Sequence, residues 1–260
     1  MNALHRTLLS ARSWLVPVGL ILLWEASIRL HWVGPNVLTS WGDVLGALHT
    51  PEAADVWQGW LWTARRLGSG VALGASAGLG LGMLLALSDR AERLIGPSFH
   101  GVRQVALFAW IPLITAWFGN GEWGKTVFVA TAAFYPMAMG SIDGLRGVPR
   151  AWREVGAVLK LGPVQRLARI LLPAAAPSIL AGLQLSLIYG WLAAIGAEYM
   201  LGVGVGLGNV LEAGREQFRM DLVLLGLCVI GLSGAAINAA FDRLRRHVLR
   251  WRAANAGAAV

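Results

Sequence analysis

Six long stretches that are almost free of Asp, Glu, Lys and Arg succeed one another along this 260-residue chain, at about 13–30, 67–88, 104–121, 125–142, 177–198 and 221–241. Each approaches the roughly 20 residues that an α-helix needs to cross a hydrocarbon core. In lipid every backbone N–H and C=O must be satisfied within the protein, so apolar runs of this length are expected to be helices. The chain is therefore read as an all-α polytopic membrane protein, a single domain over 1–260 with about six transmembrane helices. Residues 143–172 form the longest connection on the inner side. Arg6 and Arg12 precede a short apolar core, Leu15–Trp24, as they would in a signal peptide. No small-x-small cleavage site follows, and the stretch is read as a membrane anchor.

Composition agrees. Hydrophobic residues make up 56% and charged residues only 14%, against about 25% charged in soluble domains, which excludes an ordinary soluble enzyme and a disordered chain alike. The net charge of +8 belongs with loops flanking a membrane rather than with nucleic acid. The single Cys228 excludes an intrachain disulfide and cysteine-rich metal sites. With the N-terminus inside, sixteen of the 22 basic residues fall on the cytoplasmic side, including Arg90, Arg93, Arg103 and six between Arg146 and Arg169. That bias puts both termini in the cytoplasm and makes 31–64 an external loop.

Gly70, Gly74, Gly78 and Gly82 recur every four residues in the second stretch and form one helical face suited to close helix packing, within the chain rather than between copies. Two other patterns imitate active sites. Gly119–Thr126 fits the phosphate-loop pattern G-x-x-x-x-G-K-[ST], with Lys125 in the lysine position. It lies in a short connection on the side read as external, away from ATP, and no layered α/β domain surrounds it. Gly74-Ala75-Ser76-Ala77-Gly78 matches G-x-S-x-G, but lies in mid-helix with no histidine in any apolar stretch to act as a base. Gly202, Gly204, Gly206 and Gly208 read as a flexible external turn.

The 143–172 connection has its own helical pattern. Pro149 can start a helix, and Trp152, Val155, Val158 and Leu159 then share one face. Leu161-Gly162-Pro163 ends that helix and opens a second, with Leu167, Ile170 and Leu171 as its apolar side. Such a helix can lie on the membrane or enter a partner's groove. Glu154 followed by the small Gly156 and Ala157 favours the partner, because a small face permits close docking.

With Glu154-Val155-Gly156, Lys160, and Ile170-x-Leu172-Pro173 at their spacings, the chain resembles the membrane-spanning permease subunits of bacterial ABC importers. In that family a Glu-Ala-Ala stretch is followed by a glycine and then Ile-x-Leu-Pro; here Lys160 stands at the glycine position and Gly162 two residues later. The resemblance covers most of the chain and is closest to the aliphatic sulfonate, taurine and nitrate branch. It is carried by Thr63-Ala64-Arg65-Arg66, Ile111-Pro112-Leu113, Trp117-Phe118-Gly119-x-Gly121, Phe134-Tyr135-Pro136 and Pro177-Ser178-Ile179. Residues 36–41 and Val105 depart from its usual prolines.

The resemblance implies a type I importer permease fold in the bacterial inner membrane. The implied partners are a cytoplasmic ATPase that carries ATP and Mg, an extracytoplasmic solute-binding protein and a second permease subunit, as a homodimer. This chain would bind no cofactor, catalyse nothing and pass a small anion such as a sulfonate or nitrate. Arg153, Glu154, Val155, Gly156, Ala157, Lys160, Gly162 and Pro173 would then carry the coupling to the ATPase. Glu198 and Asp143 are the ionisable groups nearest membrane depth, and ordinary solvated helix ends are the alternative for both. Arg65, Arg66, Arg215 and Arg219 could draw an anion to the mouth or contact lipid headgroups. An intramembrane enzyme would need paired polar groups inside the spans. A nucleotide-gated channel would need Gly119–Thr126 to face the cytoplasm.

Overall fold

A computed structural model describes residues 18–19, 21–30, 32, 34 and 39–250. The helices in chain order are α1 (21–29), α2 (Trp41–Ala47), α3 (Ala53–Leu87), α4 (Asp89–Val102), α5 (Ile111–Phe118), α6 (Glu122–Arg146), α7 (Arg150–Val158), α8 (Pro163–Arg166), α9 (Leu172–Leu201), α10 (Leu207–Glu216) and α11 (Met220–Val248). Among the described residues there is no strand. The expected first span, 13–30, lies partly outside the described residues.

The core is a layer of three helices, with α6 between α3 and α9. Its side chains are small, and the backbones themselves touch. A Cβ at Gly74 would stand 2.1 Å from the Ala130 carbonyl oxygen, and one at Gly78 would stand 2.4 Å from that of Phe134. The glycine face foreseen in the sequence thus packs on α6 within one chain. On the opposite side of α6, a Cβ at Gly140 would come 2.7 Å from the Gly182 Cα. Contact this close gains dispersion along the whole interface without any apolar side chain having to leave lipid. Phe128, Val129, Ala133, Ala138 and Ala194 are sealed inside.

Two helices outrun the charge-free stretches that announced them. The second stretch begins at 67, yet α3 starts at Ala53, so Arg65 and Arg66 lie well inside a helix and 53–64 is not loop. The fifth stretch begins at 177, but helix continues without a gap from Pro163 to Leu201. There α8 passes through one wide turn, Leu167–Leu171, into α9. The widening precedes Pro173, which has no N–H for the i→i−4 ladder. The second loop helix is therefore the leading end of α9.

The third stretch, 104–121, is not one helix. Leu107–Trp110 forms a 3-10 turn leading into α5, and together they are bent by 98° from α4. Contacts along α6 show how this pair runs. Glu92 of α4 pairs with Arg146 at 2.9 Å, Phe99 stacks beside Phe134 and Tyr135, and Phe108 beyond the bend meets Phe128. The pair climbs the full height of α6, with its break halfway up. Arg103, counted with the cytoplasmic charges in the sequence, sits at that break. By length and apolarity alone, Ala53–Leu87, Pro163–Leu201 and Met220–Val248 can each cross a membrane, and the count rises to four if the bent pair is one broken span rather than a re-entrant loop.

The packing predicts opposite outcomes for two glycines of α3. Gly74→Ala must push backbone apart and should cost about 1–3 kcal/mol, the usual range for overpacking. At Gly80 an added Cβ meets nothing within 4 Å. Gly80→Ala should be neutral or stabilise by up to about 1 kcal/mol through helix propensity. Thermal unfolding of the detergent-solubilised variants checks this, and equal effects at both positions would contradict the packing.

Candidate functional site

Two arrangements stand at opposite ends of the core. The first is the link from α6 to α9. Arg153 donates to the Leu145 carbonyl at 2.8 Å and the Arg146 carbonyl at 3.3 Å, satisfying oxygens that the end of α6 leaves without helical partners. Gly156 is buried against its own chain, because a Cβ there would come 2.9 Å from Ile170 Cδ1 and 3.2 Å from Arg166 Cγ. Its smallness serves the fit of α7 on the α8–α9 turn, so the docking role expected for it in sequence has an intrachain reason. Glu154, Gly162 and Pro173 are exposed, and Ala157 lies in α7. Trp152, Val155, Val158 and Leu159 expose an apolar face, Val158 at 80%.

Lys160 explains its unusual position. Its φ of 50° is left-handed, and the Leu161 N–H closes a bond of 3.1 Å back to the Gly156 carbonyl. That is the helix-ending turn in which glycine is preferred just past the cap. Gly162, with φ −63°, does not take over that role. Phe218 repeats the device after α10, with φ 55° and the Arg219 N–H bonded to the Gly214 carbonyl at 2.8 Å.

At the other end four charged groups meet, with Arg66, Lys125 and Glu198 buried and Glu122 half exposed. Arg66 is 2% exposed and Glu198 0%, and their side chains pair at 2.5 Å. The same guanidinium grips Glu122 through Nε and Nη2 at 2.7 and 2.5 Å and donates to the Val205 carbonyl at 2.7 Å. Glu198 also accepts from the Gly208 N–H at 3.0 Å and lies 2.8 Å from the Thr63 hydroxyl. Lys125, fully buried, donates to the Val203 carbonyl. Two cations and two carboxylates balance in number, and Arg66 and Glu198, the two fully buried partners, are paired with each other as buried charges must be.

Glycine permits the arrangement. A Cβ at Gly206 would lie 2.3 Å from the Glu198 Cδ, and one at Gly208 would lie 2.4 Å from the Ile195 carbonyl. The 202–208 run is a packed lid over Glu198, not the flexible turn its composition suggests. Solvated helix ends and headgroup contact therefore do not describe Glu198 and Arg66. Asp143 is exposed at the opposite end of α6. Arg215 is exposed and stacks over Tyr199 at 5.8 Å, apart from the quartet.

Sequence reasoning passed over Lys125, Glu122 and Thr63. Lys125 was absorbed into the phosphate-loop look-alike, in which Gly119 ends α5 and Gly121 caps α6. A helix, not a strand, precedes the loop, and the lysine points into the core. It cannot reach a phosphate from there, which removes the channel reading. The signal available was a lysine and a glutamate three residues apart in the first turn of an apolar helix, facing Arg66 and Glu198.

Just before α11, Arg219 links Glu52 at 3.1 Å to Asp221 in the first turn of that helix at 2.8 Å. The carboxyl of Glu52 is held below its usual range by its own backbone N–H, the Thr50 hydroxyl and Arg219. Its contribution is therefore present above the unfolded carboxylate value and is lost as the pH falls through the folded one.

Two predictions follow from these ends. Lys160→Gly should stabilise the protein by about 1 kcal/mol, because glycine adopts the left-handed region without the penalty of an L side chain. A lower melting temperature would contradict the turn. Arg66→Met or Glu198→Gln alone should cost about 3–5 kcal/mol by leaving a buried charge unmatched, and the double variant should lose less than the sum of the singles. Additive losses in thermal unfolding would show that the two do not act as a pair.

Known proteins place this architecture. The family described as the binding-protein-dependent transport system inner membrane component matches residues 78–253. The chain is 32% identical over 239 residues to SsuC of Bacillus subtilis (strain 168), named for aliphatic sulfonates transport as a permease protein; the match covers 92% of this chain and 86% of that one. It is 28% identical over 238 residues to the taurine transport system permease protein TauC of Escherichia coli (strain K12), covering 89% and 86%. In fold it is similar to a chain of the MetNI methionine ABC transporter in an inward-facing conformation. That superposition has a TM-score of 0.64 at 19% identity and covers 76% of this chain and 98% of that chain. The chain thus belongs to the binding-protein-dependent transport family, as a membrane-spanning permease component of the inner membrane.

Proposed function

We propose that the chain forms one half of the path of an ABC importer for a small anion, an aliphatic sulfonate of the taurine kind or nitrate. The observation that carries the reading is α7: a helix fastened to the core through Arg153 and Gly156 on one side and exposed on its apolar side. Trp152, Val155, Val158 and Leu159 are at least half exposed, an arrangement suited to a groove in another protein. In this reading the groove belongs to a cytoplasmic ATPase, which holds ATP and Mg. Arg153 and the Gly156 contact pass its movement to α6 and α9 as a rigid-body displacement. A solute-binding protein delivers the anion at the quartet end. A second copy related by a two-fold axis closes the path, since one bundle of this size encloses no channel of its own.

Val158→Glu and Glu154→Arg should leave the chain inserted in the membrane but lower the co-purified ATPase by about tenfold or more, since a charge would be forced into an apolar groove or reversed at its edge. Solute uptake should fall in parallel. Full co-purification with full uptake in both variants would remove α7 from the coupling.

A further inference from the structure

The bend between α4 and α5 leaves residues 103–106 outside any helix, halfway along α6 and therefore deep in the protein's height. Non-helical backbone at membrane depth persists only where protein covers it or where it lines a wet cavity. A cavity of about 290 Å³ is there. Arg103 and Trp110 line it from the two sides of the bend, Tyr135 from α6 and Tyr189 from α9. Pro136 of α6 also faces it, at a point where the helix loses one hydrogen bond because proline has no N–H.

The chemistry of this lining is one-sided. No carboxylate borders the cavity. Among the described residues Arg103 makes no side-chain hydrogen bond and no ion pair, in contrast to Arg66 with its two carboxylates and to Arg146 with Glu92. The buried indole N–H of Trp110 likewise has no partner. A guanidinium, an indole N–H and two phenol hydroxyls together offer donors for several oxygens of one small anion. An unpaired cation at membrane depth is costly unless something of opposite charge comes to it. The other recesses lack this character. The one beside Arg66 is bordered by the Glu122 carboxylate, with Arg66 saturated by Glu122 and Glu198 and the second cation, Arg65, exposed and stacked on Trp62; the one beside Gly206 is bordered by Glu52 and Asp55, which repel an anion.

We propose that the cavity at the α4–α5 bend is the transit site at which the permease itself recognises its solute, a small oxyanion, with Arg103 as counter-charge and Trp110, Tyr135 and Tyr189 as orienting donors. The inference rests on the importer reading above and adds the chemical class and position of the site. Arg103 lies on a break between two helices, so the anion would be held where α4 and α5 can move relative to each other. Solute occupancy and the state of the bend are then linked.

The test uses membrane vesicles that carry the complete transporter with its ATPase and binding protein. Isotope-labelled ethanesulfonate, nitrate and bicarbonate are offered in turn, and the variants are measured with whichever the unaltered transporter takes up. Arg103→Gln should lower the uptake rate at saturating binding protein by about tenfold to a hundredfold, the worth of a charge-assisted hydrogen bond. Co-purified ATPase should stay unchanged, which shows that the complex still assembles. Arg103→Lys, which keeps the charge, should recover part of the rate. Tyr135→Phe should lower it by about fivefold, the worth of one neutral hydrogen bond, and carries the test if Arg103→Gln fails to assemble. Uptake at the unaltered rate in Arg103→Gln, or in Tyr135→Phe where that variant stands in, overturns the site while leaving the importer reading in place. If the unaltered transporter moves none of the three anions, the importer reading fails for small oxyanions, and this site with it.

Discussion

Glu198 is fully buried, and the way its charge is met sets much of the fold around it. Arg66 answers it from α3, Lys125 and Glu122 complete the balance from α6, and the 202–208 turn closes over it with backbone N–H groups in place of side chains. Because Arg66 is met by both carboxylates and Lys125 by the Val203 carbonyl, three helices can hold Arg66, Lys125 and Glu198 out of water, while Glu122 stays half exposed. The quartet then pins the start of α6 and the end of α9 to the body of α3, and the glycine contacts of Gly74 and Gly140 keep their backbones in touch below it. At the far end of α6, Arg146 holds both the last turn of α3 and Glu92 of α4. A layer tied at both ends and packed backbone to backbone between them has little room to deform within itself.

That rigidity gives the α6–α9 link its meaning. The small residue in α7 faces inward, where Gly156 meets Ile170 and Arg166, while the apolar residues face outward. One side of the helix is thus fastened to the core and the other is free for a partner. The bend at Arg103 is the counterpart within the bundle, a break in an otherwise tied structure.

Much of this was legible in the sequence, and the failures share a cause. The start of α7 after Pro149, its apolar face, its stop before Gly162 and the glycine face of α3 follow from spacing alone. The helix ends did not follow, because a charge was taken as a marker of water. Arg66 and Lys125 break that rule: both are buried, and their partners, two carboxylates and a carbonyl, lie 56 to 132 positions away where only the fold brings them together. The same rule placed Arg103 at the inner surface, although it stands halfway up α6. The glycine run after α9 looked flexible by composition, whereas Gly206 and Gly208 are small because Glu198 lies beneath them. Lys160 could have been anticipated, since a residue at the family's glycine position must adopt the left-handed turn or change it.

The central claim is that α7 and the quartet lie on opposite sides of one membrane, α7 toward the cytoplasm. Gly121 and Gly162 report on it directly, since both are exposed, both have negative φ and a Cβ at either meets nothing within 4 Å. With Cys228→Ser as background, Gly121→Cys and Gly162→Cys are each treated with a membrane-impermeant thiol reagent on intact cells with a permeable outer layer and on inside-out vesicles. The account predicts labelling of Gly121→Cys only from outside and of Gly162→Cys only in the inside-out vesicles. The reverse pattern, or labelling of both from one side, would contradict it.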